Sequence, residues 1–150
     1  LVVGLPGADV GATDTGVAQL FLGGATMDAV VDGQFGPQQA GAGAGSSVAG
    51  LGDANGDGYA DIAVGSSLFD TPAVDAGRVD VFFGGATINT VADGTIQSSQ
   101  AGLRFGTALA AGHDLNGDGY ADLLVGTPFF SSGQNNEGAM YVYLGGAGSS

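Results

Sequence analysis

The segments "DANGDGYAD" (53–61) and "DLNGDGYAD" (114–122) carry side-chain oxygens at their first, third, fifth and ninth positions. These are Asp53, Asn55, Asp57 and Asp61 in the first, and Asp114, Asn116, Asp118 and Asp122 in the second. The backbone carbonyls of Tyr59 and Tyr120, at the seventh position, offer one further oxygen each. Glycines at 56, 58, 117 and 119 permit the sharp, left-handed backbone that turns such oxygens inward. Six to eight oxygens at about 2.3–2.6 Å, in flexible geometry, are what Ca2+ requires. Neither loop holds histidine or cysteine for zinc, and magnesium rarely takes an all-protein cage. Two calcium sites are the expectation.

A simpler reading is that Asn-Gly and Asp-Gly merely mark hairpin turns. A bare turn gives no reason for three carboxylates to converge. At an effective dielectric near 20, each pair about 4 Å apart costs roughly 4 kcal/mol. The helix–loop–helix calcium motif is a different pattern, since it needs an acid at the twelfth place, where Val64 and Val125 stand.

The two loops lie 61 residues apart, and the rest of the chain follows the same period. "GVAQLFLGGAT" (16–26) falls on "GRVDVFFGGAT" (77–87) and on "GAMYVYLGGAG" (138–148). "DGQFGPQQAG" (32–41) falls on "DGTIQSSQAG" (93–102), and "LVVGLPG" (1–7) falls on "IAVGSSL" (62–68) and "LLVGTPF" (123–129). A fixed period of this size signals a repeat architecture. Within a unit, "VDVFFGG" and "ADIAVG" read as strands, "FGTALAAGHD" as a small-residue strand and "TINTVADG" as a weaker one. No apolar stripe of helical period appears. The expectation is an all-β chain of four-stranded antiparallel blades of β-propeller type, in about two and a half repeats. The expected divisions are a partial blade at 1–41, a full blade at 42–102 and a partial blade at 103–150. Closed propellers need at least four blades, so the chain is expected to be incomplete as a ring by itself.

Fifteen acids face only Arg78 and Arg104, for a net charge of −13. Nucleic acid and anionic membranes are poor partners for such a surface, and no apolar run is long enough for a spanning helix. The absence of cysteine excludes disulfides. The chain starts at Leu1 and shows no signal peptide, which fits either a removed leader or a piece of something longer. His113 lacks a nucleophile and an orienting partner, so it reads as solvated beside Asp114. Ser46, Ser47, Ser131 and Ser132 read as loop residues. Asp9, Asp14, Asp70 and Asp75 read as solvated loop acids, and the two arginines as partners of surface acids.

The run "RFGTALAAGHDLNGDGYADLLVGTPF", followed by "GAMYVYLGG", resembles the FG-GAP repeat of the integrin α-subunit β-propeller and its bacterial relatives. The resemblance implies a four-stranded blade per repeat, with calcium in the hairpin between the first two strands. The earlier unit departs from the pattern, with Ala44-Gly45 in place of Phe105-Gly106. It also implies an extracellular or cell-surface, non-enzymatic module for adhesion or recognition of a protein or glycan. Two alternatives stay open: a self-assembling filament or surface-layer subunit joined through open strand edges, and a non-catalytic appendage of a secreted enzyme. The open edges call for other blades of a longer chain or for identical subunits.

Overall fold

The computed structural model describes residues 1–25 and 28–147; Thr26 and Gly148, within the repeated segments, lie outside it. Ten strands form three antiparallel sheets, with no helix among the described residues. The first sheet holds β1 (Val2–Leu5), β2 (Val17–Leu20) and β3 (Gly33–Phe35) in that order. The second is the four-stranded meander of β4 (Ala44–Gly52), β5 (Asp61–Ser66), β6 (Arg78–Phe82) and β7 (Gly94–Gln97). The third holds β8 (Ala108–His113), β9 (Asp122–Thr127) and β10 (Ala139–Tyr143). The sheets are not closed into a ring, as expected for partial propeller blades.

The period-2 alternation of the strands gives each sheet two working faces. Between the first two sheets, Ala18, Phe35, Val64 and Phe82 form one core, with the Phe35 and Phe82 rings edge-on and 4.8 Å apart. Between the second and third, Leu51, Ala63, Val79, Leu103, Phe105, Leu123 and Val125 form another. Ala44 is as completely buried as its repeat counterpart Phe105, so the missing ring leaves no exposed joint.

Glycine makes the closest inter-sheet approaches possible. A Cβ at Gly65 would collide with the carbonyl oxygen of Gly106, and one at Gly4 with that of Gly45. Backbone bonds then bolt neighbouring units together: Ala44 N–H donates to Thr15 at 2.9 Å, and Phe105 N–H to Ala76 at 3.0 Å.

Three expectations change. The fourth strand of the full sheet is Gly94–Gln97 rather than "TINTVADG", because Asn89 and Asp93 satisfy that segment's backbone locally. Ser46 and Ser47 lie in β4 at a register shift, where Ser47 Oγ donates to the Gly106 carbonyl at 2.6 Å. Arg78 pairs with Asp80, a buried acid, at 2.6 Å, and Arg104 sits over the Phe129 ring at 5.1 Å.

Candidate functional site

Each acidic loop is the hairpin joining the first strand of a meander to the second: 53–60 links β4 to β5, and 114–121 links β8 to β9. The leading aspartate organises it. Asp53 Oδ1 accepts from the amides of Gly56 (2.7 Å) and Asp57 (3.1 Å), and Oδ2 accepts from Gly58 (3.0 Å). Asp114 repeats the set with Gly117 (2.6 Å), Asp118 (3.1 Å) and Gly119 (2.8 Å). The left-handed glycines, with φ of 82° and 90° at Gly56 and Gly58, and 80° and 93° at Gly117 and Gly119, bring those amides round. These amide bonds, led by that of Gly119, hold the Asp114 carboxyl below the usual range.

The middle residues face solvent. Asn55 Nδ2 donates to Asp57 Oδ2 at 3.0 Å, and Asn116 Nδ2 to Asp118 Oδ2 at 2.8 Å. The ninth-position acids differ. Asp61 and Asp122 are each only 1% exposed, and each spends both carboxylate oxygens on backbone amides. Asp61 takes Ala54 N–H at 2.8 Å and Gly84 N–H at 2.8 Å; Asp122 takes Leu115 N–H at 2.7 Å and Gly145 N–H at 2.9 Å. Burial pushes the Asp61 carboxyl up, with repulsion from Asp57 and Asp53 adding to it and the two amides opposing it.

The loops also touch one another. Tyr120 lies over Gly56, where an added Cβ would sit 2.5 Å from its Cε1 atom. Ala121 N–H donates to the Asp53 carbonyl at 3.1 Å, and Gly146 N–H to the Ala54 carbonyl at 3.0 Å. The loop of one sheet is thus clamped onto the loop and Gly-Gly turn of the next.

The donor set fits a hard cation, being carboxylate, amide and carbonyl oxygen throughout. Among the described residues no group of three His, Cys, Asp or Glu side chains stands ready-made for a metal ion. The acids are engaged by amides, one loop at a time, and each carboxylate oxygen so engaged retains a second lone pair.

Reading from the sequence missed two acids that recur at the same period. Asp32 Oδ2 accepts from Leu22 N–H at 2.7 Å, and Asp93 Oδ2 from Phe83 N–H at 2.8 Å, closing the turn after β2 and β6. Their shared "DG" in the aligned segments was the signal available. Asp9 and Asp70 likewise brace turns, accepting from Asp14 and Asp75, whose φ values are 49° and 51°. Two repeat-related clefts of about 510 and 340 Å3 lie between the sheets; Ile62, Phe83 and Gly84 line the first as Leu123, Leu144 and Gly145 line the second.

Comparison with known proteins follows these features. The family profile described as FG-GAP repeat matches residues 44–82 and 105–143, each match running from the first strand of a meander to the third. Rat (Rattus norvegicus) phosphatidylinositol-glycan-specific phospholipase D is 37% identical over 103 residues, covering 62% of this chain and 12% of that protein. Integrin alpha-PS2 of Drosophila melanogaster is 32% identical over 105 residues, or 62% of this chain and 7% of the integrin. Integrin alpha-5 of Xenopus laevis is 42% identical over 87 residues, or 55% and 8%. The chain therefore spans no more than about an eighth of the length of these relatives. With two family matches that together take in over half of its residues, the chain belongs to the FG-GAP repeat family.

Proposed function

We propose that the chain is an extracellular propeller-type module for adhesion or recognition of a protein or glycan, with calcium in a structural role and no catalysis of its own. The observation that carries this reading is the double occurrence of an all-oxygen loop that also clamps the adjoining sheet. Asp53, Asn55, Asp57, the Tyr59 carbonyl and Asp61 would hold one ion; Asp114, Asn116, Asp118, the Tyr120 carbonyl and Asp122 would hold the other. Bound calcium supplies positive charge that offsets the mutual repulsion of the acids. The residues do the rest. Asp53 and Asp114 shape the loop through their three amide bonds, while Asp61 and Asp122 fix its far end to the sheet.

Likeness to integrin α subunits supports the adhesion class. A second reading, a non-catalytic part of a larger secreted enzyme, draws on the phospholipase D match, whose aligned part is the repeat region.

Extracellular modules bind calcium at about 10⁻⁴–10⁻³ M. An ion tenfold above its dissociation constant adds about 1.4 kcal/mol per site. Two sites correspond to a melting-temperature rise of roughly 5–10 °C in a chain of this size. Thermal unfolding in calcium, in magnesium and in chelator tests the proposal. A rise confined to calcium is expected; no rise, or an equal rise in magnesium, contradicts it.

A further inference from the structure

Successive sheets pack by one rule, and that rule leaves two matching faces open. In the second sheet, Val64 and Phe82 turn back toward the first and share a core with Ala18 and Phe35. The alternate residues Ala63 and Val79 turn forward and share a core with Leu123 and Val125 of the third. Each strand therefore has a backward-facing and a forward-facing row, as the two-residue period requires.

The period of 61 carries Ile62 and Val64 onto Leu1 and Val3, and Val79 and Val81 onto Met140 and Val142. Val64 and Val79 are fully buried. Their counterparts have no neighbouring sheet: Leu1, Val3 and Leu5 are 66%, 36% and 39% exposed, and Met140, Val142 and Leu144 are 65%, 48% and 60% exposed. One end of the molecule presents the backward-facing row, and the other presents the forward-facing row. Charge does not guard either row, since neither holds a charged residue.

We propose that Met140, Val142 and Leu144 of one copy pack on Leu1, Val3 and Leu5 of a second copy, continuing head to tail the sheet-on-sheet packing already present twice within the chain. The backbone supports the same register. Gly146 N–H donates to the Ala54 carbonyl at the existing interface. The period maps this pair onto Gly24 and Leu115, so the Gly24 amide of the second copy meets the Leu115 carbonyl of the first. Leu115 itself is exposed, where its counterpart Ala54 packs against the core. Because the two faces differ, the contact is heterologous, and it builds a closed ring or an open chain of copies according to its rotation. With a net charge of −13 per copy, association strengthens as salt screens the repulsion. This inference does not rest on the calcium reading.

Light scattering of the 150-residue chain tests it, at fixed calcium and about 0.15 M salt, from about 1 μM to about 1 mM protein. The expected mass rises with concentration from the 14.4 kDa of one copy to multiples of it. Val3→Asp and Met140→Asp each destroy one face, so each variant alone stays monomeric. Mixed in equal amounts, they form a dimer and nothing larger, because the mixture retains one intact face of each kind. That recovery also shows that both variants are folded. A parent chain that is monomeric throughout, a single variant that assembles like the parent, or a mixture that stays monomeric overturns the proposal.

Discussion

Asp61 accepts a 2.8 Å hydrogen bond from the backbone amide of Gly84, 23 residues further along the chain, and Asp122 and Gly145 form the same pair at 2.9 Å. This bond joins the end of an acidic loop to the Gly-Gly turn after the third strand of its unit. It gives the ninth-position acid a structural task that needs no ion.

Replacing Asp61 or Asp122 by alanine leaves two amides of a part-buried site without acceptors, at a cost of about 1–3 kcal/mol per orphaned group. The expected result is a lower melting temperature in calcium and in chelator alike. Unchanged melting in chelator would contradict the role assigned to this bond.

Asp57 and Asp118 are expected to behave differently. Each makes only exposed contacts within its loop, so alanine there costs less than about 0.5 kcal/mol in chelator. In calcium, each substitution removes one site's contribution of about 1.4 kcal/mol. Thermal melts of both variants with and without the ion check the difference.

The two carboxyls with shifted titration move in opposite directions. In calcium-free protein, Asp61 titrates above the ordinary carboxylate value and Asp114 below it. The raised value of Asp61 means that the unfolded chain loses this proton first. Stability from Asp61 therefore falls as pH rises between the unfolded and folded values. Asp114 contributes stability above its unfolded value, and that contribution is lost as pH falls through its depressed folded value. Carboxyl carbon chemical shifts followed through an acid titration give the order directly: Asp114 first to ionise as pH rises, Asp61 later. The reverse order would contradict it.

Gly106 and Gly117 separate crowding from backbone strain. Their φ values are 82° and 80°, but a Cβ at Gly106 would lie 2.7 Å from Val79 Cγ2, whereas one at Gly117 meets nothing within 4 Å. Alanine at Gly117 costs about 1–2 kcal/mol for the left-handed backbone alone. Alanine at Gly106 adds about 1–3 kcal/mol of overpacking. Denaturant unfolding of the two variants measures the gap.

Much of this architecture was legible because it was written more than once. The loops, the strands beginning at Asp61 and Asp122, and the strands ending at Phe82 and Tyr143 all stand at a constant spacing. Alternation of valines and aromatics with smaller residues marks them as strands. What escaped depended on partners remote in sequence. Asp61 reads as a ligand from its place in the loop, and nothing local shows that Gly84 will meet it. "TINTVADG" alternates like a strand, yet Asn89 and Asp93 bond within their own turn and leave the pairing to Gly94–Gln97. Ser47 looks like a loop residue until Gly106 arrives from the next unit to accept its hydroxyl.

Calcium titration followed by calorimetry tests the central claim most directly. The chain, first stripped with chelator, is expected to bind two ions at sub-millimolar to millimolar dissociation constants. One ion should remain with Asp57→Ala or Asp118→Ala, and none with both. A parent chain that takes up no calcium, or a double variant that still binds two ions, would contradict the account.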